Sequence, residues 1–171
     1  MPQRKLILMR HAKSSWKGGL SDHERPLNGR GRAAAPLVAA ELQKCGWAPE
    51  MVVASNARRT VETWERMREN FSPQPPIVLD ASLYLSGYSE LVSAAAQLPD
   101  FCLSALFLGH NPGWEMAASQ LAGQSLEMAT GMAVLLTVES VTWQSAFSRG
   151  EWKLVSIIRP RELDQEHTDI H

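Results

Sequence analysis

The sequence predicts an α/β fold, a three-layer α/β/α sandwich around a central sheet that is mainly parallel and has an antiparallel edge. The first reason is that short apolar runs bounded by turn residues alternate with longer segments of helical periodicity. The second is that two more strand-like runs follow near the end of the chain, where they are expected to extend one edge of the sheet.

Each apolar run has the length and the flanking turn residues of a strand, and the first four are expected to be buried. The six predicted strands are Lys5–Met9, Met51–Ala54, Ile77–Leu79, Leu103–Leu108, Met132–Val138 and Trp152–Ile158. Four helices are predicted between the strands. The first opens near Asn28 and is ended by Gly46, the second runs from about Ala57 to Glu69, the third covers Glu90 to Leu98, and the fourth follows Asn111-Pro112 and stops at Gly123. Asn28 is a good N-cap for the first helix, and Pro112 suits the first turn of the fourth.

The length of 171 residues is about that of one domain. We therefore expect a single domain over residues 1–163, followed by a polar tail, 164–171, that frays. The two cysteines, Cys45 and Cys102, are too few for a disulfide scaffold and are expected to be free, buried thiols.

The composition, 44% hydrophobic and 20% charged, is that of an ordinary soluble globular protein. With a net charge of -1, the chain as a whole does not attract nucleic acid or an anionic membrane electrostatically. Neither is therefore expected as a partner. No apolar run suits a signal peptide or a membrane span, which predicts a cytoplasmic location. Any affinity for phosphate must therefore come from a local cluster of basic groups.

Polar residues follow three of the predicted strands at their carboxyl ends. They are Arg10-His11 after the first strand, Ser55 to Arg59 after the second and Gly109-His110-Asn111 after the fourth. Ligands of open α/β sheets bind beyond the carboxyl ends of the strands. We therefore expect these three segments to meet in one crevice.

The residue types at this crevice suit phosphoryl chemistry. The guanidinium of Arg10 offers a fork of donors that matches two phosphoryl oxygens and keeps its charge. The neutral imidazole of His11 is a competent nucleophile near pH 7. Ser14 offers a further donor, although a plain turn explains it almost as well. Taken singly, Arg59 also fits a solvated helix start, and His110 fits a structural histidine.

The motifs resemble those of a known family, from about Lys5 to Pro160. Arg10-His11-Ala12-Lys13-Ser14 resembles the Arg-His-Gly signature of the histidine phosphatase superfamily, also called phosphoglycerate mutase-like. Ser55, Arg59 and Thr63 resemble its Ser-x-x-x-Arg-x-x-x-Thr segment, which selects Arg59 over Arg58, and Gly109-His110-Asn111 resembles its second-histidine motif. The strings at 8–16 and 22–28 are similar to the SixA-type phosphohistidine phosphatase branch.

The resemblance implies a phosphoglycerate mutase-like fold and a reaction that needs no metal or cofactor. It implies that His11 is the nucleophile and that Arg10, Arg59 and His110 hold the phosphoryl group. We also expect Ser14 and Asn111 among the phosphate-binding residues.

Two positions depart from the family pattern. Ala12 stands where a glycine usually follows the nucleophile, which is tolerable if its φ is negative. The usual carboxylic general acid has no clear counterpart, and Tyr84, Asp22 and Glu90 are weak substitutes. A missing acid favours phosphohistidine, because an imidazole leaves more easily than an alkoxide.

The short stretch between Thr63 and His110 leaves no room for the large helical cap of the mutases. An open crevice suits a phosphorylated protein, and we expect a histidine-containing phosphotransfer domain as the partner. Trp16 and Trp114 are candidates for its rim, with burial equally plausible.

Three alternatives remain open. The first is a phosphomonoesterase or mutase of the same superfamily that acts on a small phosphorylated substrate. The second is a phosphate-binding module without catalysis. The third, a metallohydrolase using His11 and His110, is disfavoured because the sequence has no close-spaced ligand pair.

Overall fold

The computed structural model describes residues 1–163, and these contain one six-stranded sheet. The strands are β1 (Gln3–Arg10), β2 (Met51–Ala54), β3 (Ile77–Leu79), β4 (Ser104–Gly109), β5 (Ala133–Glu139) and β6 (Lys153–Ile158). The α-helices are α1 (Gly29–Lys44), α2 (Arg58–Met67), α3 (Tyr88–Ala95), α4 (Gly113–Ala122) and α5 (Trp143–Arg149). Short 3₁₀ helices lie at Asp22–Glu24, Arg68–Asn70 and Ala81–Leu83.

The strand order is β3-β2-β4-β1-β5-β6. The first four strands of this order are mutually parallel, whereas β5 is antiparallel to both β1 and β6. Arg10, the last residue of β1, lies opposite Gly109, the last residue of β4. The predicted fold class, with a mainly parallel sheet and an antiparallel edge, is confirmed.

Two hydrophobic cores lie on opposite faces of the sheet. One contains residues of α1 and α2, and the other contains residues of α3, α4 and α5. The strand β1 contributes Leu6 and Leu8 to one core and Ile7 and Met9 to the other, all of them fully buried. Burial of each such side chain stabilises the fold by about 1.5–3 kcal/mol. The hydrophobic run therefore fixes β1 at the centre of three layers.

The structure differs from the sequence prediction at both edges of the sheet. The helix α5, between β5 and β6, was not predicted; Thr142 caps it by accepting a hydrogen bond from Ser145 N at 3.0 Å. The prediction that β3 is buried is wrong, since Val78 and Leu79 are 49% and 51% exposed. The reason is that β3 is an edge strand, paired only with β2.

The predictions for the cysteines and the C-terminal tail had different outcomes. Cys45 and Cys102 are both free, but Cys45 is exposed, so its predicted burial is wrong. The tail predicted to fray, 164–171, lies outside the described residues. No helix within residues 1–163 has both the length and the apolar character needed to cross a membrane.

Candidate active site

Two histidines lie side by side at the carboxyl ends of the central strands. His11 follows β1 and His110 follows β4, and His11 N donates a hydrogen bond to Gly109 O at 3.1 Å. The centroids of the two imidazole rings are 5.3 Å apart. Both residues are almost completely buried, at 5% and 1% exposure. The parallel pairing of β1 with β4 thus brings residues distant in sequence into one site.

Arg59, in the first turn of α2, bridges the two histidines. Its Nε donates to His11 Nε2, and its Nη2 donates to His110 Nδ1, both at 3.3 Å. The adjacent Arg58 lies on the surface, where its Nε donates to Glu62 Oε1 at 2.9 Å. Of the two arginines, the structure places only Arg59 against the histidines.

The hydrogen bonds of His11 fix the orientation of its ring. Nδ1 lies 2.7 Å from the carbonyl oxygen of Ala12, which can only accept, so Nδ1 carries the proton. Nε2 therefore presents its lone pair toward Arg59. Burial, with smaller contributions from the charges of Arg59 and Arg10, lowers the pKa of His11 to about 4. The ring is neutral near pH 7, which is the state a nucleophile requires.

The backbone after His11 is tied to α1 and α2. Ala12 N donates to Thr63 Oγ1 at 3.0 Å, and Ala12 does not have a positive φ. Asn28 N donates to Lys13 O at 3.0 Å. A Cβ atom on Gly31 would lie only 2.1 Å from the same carbonyl oxygen, so glycine is needed where α1 approaches this loop.

His110 is held from the opposite side by hydroxyl groups. Its Nε2 lies 2.8 Å from Ser55 Oγ and 3.3 Å from Thr60 Oγ1. Because Nδ1 accepts from Arg59, Nε2 carries the proton in the neutral ring and donates to Ser55. Burial first, and then the nearby charges of His11 and Arg59, lower the pKa of His110 to about 3.

Arg10 contributes a second guanidinium with spare donors. Its Nη1 donates to Met128 O at 3.0 Å, whereas its buried Nε has no hydrogen-bond partner within residues 1–163. Burial lowers the pKa of Arg10, but an arginine keeps its charge at neutral pH. A buried, unpaired N–H group is costly, and an anionic oxygen would satisfy it.

Asp22 occupies the outer side of Arg59. Its Oδ2 accepts hydrogen bonds from Arg59 Nη2 at 3.0 Å and from the hydroxyl of Tyr84, and Arg25 Nε donates to its Oδ1 at 3.2 Å. The Tyr84 bond and the two arginines hold the pKa of Asp22 at about 2. Burial and the contact with Asp22 raise the pKa of Tyr84. Near pH 7, Asp22 is therefore ionised, and the remaining proton is on Tyr84.

Glu90 and Asn111 have hydrogen-bond partners that do not fit their predicted roles as proton donor and phosphate ligand. Glu90 Oε2 accepts from Gly87 N at 3.2 Å, so the carboxylate caps α3 rather than supplying a proton. Both amide protons of Asn111 are in use, because Nδ2 donates to Glu115 Oε2 at 3.2 Å and to Met128 O at 2.8 Å. Asn111 therefore positions its loop, which corrects the expectation that its side chain binds phosphate.

Ser14 and Trp16 both contact Arg25, a residue to which the sequence analysis gave no role. Ser14 Oγ accepts from Arg25 Nη1 at 2.9 Å, so this hydroxyl supports an arginine. The indole of Trp16 is 80% exposed and stacks on the same guanidinium, 3.5 Å away. Arg25 is itself buried and joins both residues to Asp22. Trp114, by contrast, is fully buried and is not a rim residue.

The arrangement suits a tetrahedral anion better than a metal ion. Two arginines provide charge and N–H donors, and the unprotonated Nε2 of His11 faces Arg59, from which it accepts a hydrogen bond. Within residues 1–163, no three His, Cys, Asp or Glu side chains are grouped so as to hold a metal. This part of the chain thus lacks the ligand set that the metallohydrolase alternative needs.

Comparisons with known proteins bear on the family and the fold. Residues 6–84 match the model of the histidine phosphatase superfamily (branch 1). An uncharacterised chloroplastic protein of Arabidopsis thaliana is 35% identical, with 92% of this chain and 78% of that protein aligned. An uncharacterised protein of Mycobacterium tuberculosis is 30% identical, with 68% and 72% aligned.

Solved structures share the fold at lower identity. The putative phosphohistidine phosphatase SixA from Nakamurella superposes with a TM-score of 0.80 at 23% identity, over 94% of this chain and 98% of that one. A protein histidine phosphatase SixA complexed with tungstate gives 0.78 at 21% identity, over 93% and 99%. The predicted membership is thus confirmed: the chain belongs to the histidine phosphatase superfamily, branch 1, and has the SixA-type fold.

Proposed function

We propose that this protein is a phosphatase that removes the phosphoryl group from phosphohistidine on a partner protein, with His11 as the nucleophile. The observation that carries the proposal is the bridge formed by Arg59 between two neutral histidines at the ends of adjacent strands. Membership of the histidine phosphatase superfamily supports phosphatase activity in general. The choice of substrate rests on the protonation states within the site.

In the first step, His11 Nε2 attacks phosphorus as the P–N bond of the substrate breaks. The substrate imidazole, protonated on its second nitrogen, leaves as a neutral ring and needs no further proton. His11 becomes a phosphoimidazolium whose Nδ1–H remains hydrogen-bonded to the Ala12 carbonyl. That hydrogen bond stabilises the positive charge that develops on the ring.

In the second step, water attacks phosphorus and the bond to His11 Nε2 breaks. Dihydrogen phosphate forms and keeps both protons of the attacking water, and His11 returns to its neutral form with its own proton still on Nδ1. Arg10 and Arg59 stabilise the charge on the equatorial oxygens in both steps. In this proposal His110, whose Nδ1 contacts Arg59, takes up a proton as the anion binds and donates a hydrogen bond to a phosphoryl oxygen.

The protonation states favour phosphohistidine over sugar phosphates. The carboxylate that contacts Arg59 is that of Asp22, and its pKa of about 2 leaves it without a proton to give an alkoxide. The raised pKa of Tyr84 makes its hydroxyl a weak acid. A leaving imidazole needs neither group, so the substrate class matches the chemistry available.

A phosphorylated histidine-containing phosphotransfer domain is the proposed partner and also the test substrate. We expect loss of phosphate from this domain with the wild-type protein, no loss with His11→Ala, and unchanged activity in the presence of a strong chelator. Intact domain alongside rapid cleavage of a sugar phosphate would favour the small-molecule phosphomonoesterase. Binding of tungstate without turnover of either substrate would favour the non-catalytic module.

The proposed location is the cytoplasm, as the sequence predicts. The Arabidopsis relative carries the word chloroplastic in its name. Fractionation of the native host with an antibody against this protein tests the prediction directly.

A further inference from the structure

A groove with a volume of about 1200 Å³ lies beside the proposed site. Its walls come from the segment after β1, the start of α1, the loop before β5 and the segment after β6. Five of the lining side chains are basic, and we call this surface the basic groove. They are Arg10, Lys13, Arg30, Arg159 and Arg161.

The basic groove and the proposed phosphoryl site share a wall. Arg10, next to His11 in sequence, lines the groove, and so does Asn111, next to His110. Ala133 of β5 is paired with both Met9 of β1 and Ile158 of β6. The ends of β1 and β6 therefore lie at the same edge of the sheet. The groove thus adjoins residues that are next in sequence to both histidines of the candidate site.

The charge of the basic groove contrasts with that of the whole chain. The protein has a formal net charge of -1, yet within residues 1–163 the lining has five basic side chains and two acidic ones, Glu115 and Glu127. Arg159 also lies 3.9 Å from Glu162, in an exposed ion pair. The carboxylate of Glu115 is already occupied, since it accepts from Met128 N at 2.9 Å. Lys13, Arg30 and both C-terminal arginines of the groove are exposed. The groove thus concentrates positive charge at one edge of the site.

The remaining lining favours a polypeptide over a nucleic acid. Between the charged residues lie aliphatic side chains and methionines, including Ala33, Leu126, Met132 and Ile157. Within the part of the chain that the structure describes, none of the lining residues is aromatic. Sites for single-stranded nucleic acid combine basic residues with aromatic stacking platforms, which this lining lacks.

We propose that the basic groove binds an acidic segment of the substrate protein that flanks the phosphorylated histidine. The inference rests on the proposed function and extends it, because it makes the phosphatase selective for acidic surroundings. Acidic side chains would meet the exposed arginines, while the backbone and apolar side chains cover the aliphatic floor. Complementary charge of this kind contributes to encounter and specificity.

The test compares two double variants on two substrates. Arg159→Gln/Arg161→Gln removes charge from the groove, and Arg66→Gln/Arg68→Gln removes the same charge at the far end of α2, on exposed residues. The substrates are a peptide with one phosphohistidine beside a run of glutamates and the free amino acid phosphohistidine. Exposed ion pairs are each worth up to about fivefold, so we expect roughly a tenfold loss of kcat/KM on the peptide.

The expected loss appears in KM, with kcat retained, and only for the groove variant acting on the glutamate peptide. Activity on free phosphohistidine is expected to be unchanged in both variants. Equal losses on both substrates, or an equal loss in the control variant, would overturn the inference. The wild type should also have a lower kcat/KM on a peptide with lysines in place of the glutamates than on the glutamate peptide. A higher kcat/KM on the lysine peptide would overturn the inference.

A binding measurement separates failure of the groove from failure of the proposed function. Fluorescence anisotropy of the unphosphorylated glutamate peptide should show weaker binding to the groove variant than to the wild type, and weaker binding at higher salt. The groove inference predicts this difference in binding whether or not the protein hydrolyses free phosphohistidine. Absence of hydrolysis would count against the proposed function but not against peptide binding in the groove. Equal peptide binding by both proteins, or preferential binding of an oligothymidylate, would refute the peptide assignment.

Discussion

Replacement of Arg59 by alanine is expected to lower kcat about a thousandfold. Arg59 directs two donors at the site, Nε toward His11 and Nη2 toward His110. Loss of one preorganised donor costs ~2.7–4 kcal/mol of transition-state stabilisation, and the upper value corresponds to about a thousandfold. The fold should persist, because Asp22, the carboxylate paired with Arg59, keeps its contact with Arg25.

Arg58→Ala is the matched control, one residue away on the same helix. Its exposed pair with Glu62 is an i,i+4 contact worth about 0.3–0.5 kcal/mol, so its activity should stay within about twofold of wild type. Steady-state kcat and KM on free phosphohistidine at pH 7 measure both variants, with thermal melts as a check on folding. A loss below tenfold for Arg59→Ala, or similar losses for the two variants, would refute the assignment of Arg59.

Three further predictions address ionisation, packing and the proton donor. In ¹⁵N NMR titrations, His11 should stay neutral until the pH falls to about 4, because burial lowers its pKa. The half-buried His23 should instead take up its proton at a higher pH than an ordinary histidine, because its hydrogen bonds to Asn56 and Glu24 raise its pKa. An ordinary pKa for His11 would contradict the burial argument. Gly31→Ala should lower the free energy of unfolding by about 1–3 kcal/mol, because the new methyl group would lie 2.1 Å from the carbonyl oxygen of Lys13. Gly29→Ala, on the same helix, has no such contact and should melt like the wild type. Equal melting temperatures for the two variants would refute the predicted clash. Tyr84→Phe should leave phosphohistidine hydrolysis within about threefold of wild type, and a hundredfold loss would identify the phenol as an essential acid.

The central strands and the residues that leave them were predictable from the sequence. The apolar run of β1 is buried on both faces, which makes the strand readable as a continuous hydrophobic segment. Its end therefore placed Arg10 and His11 at the carboxyl edge, and the run of β4 placed His110 there too. Arg59 was selected by its spacing from Ser55 in a family motif, since periodicity alone does not separate it from its neighbour.

The positions that were mispredicted depend on tertiary neighbours. Asn111 and Glu90 are polar residues near predicted strand or helix ends. Asn111 donates to the side chain of Glu115 and to the carbonyl of Met128, which is distant in sequence, and Glu90 accepts from Gly87 N. Arg25 is a buried arginine in a segment without regular periodicity, and only its contacts with Asp22 and Ser14 reveal its place. The local sequence does not show which hydrogen-bond donors and acceptors already have partners in the folded chain.

The edge elements were harder to predict for a related reason. The helix α5 is only two turns long, so its periodicity is too brief to distinguish it from a loop. The strand β3 has an apolar sequence but lies at the edge, and edge position is decided by topology. Neither error affects the candidate site, because its residues come from β1, β4 and the start of α2.

The most direct test of the account is to trap the covalent intermediate. The protein is mixed with excess phosphoramidate, quenched in alkali within a single turnover, digested and sequenced by mass spectrometry. The account predicts one phosphoryl group on the imidazole of His11, bonded to Nε2, and none in the His11→Ala variant. Turnover with the phosphoryl group on another residue, or with His11 never modified, would contradict it.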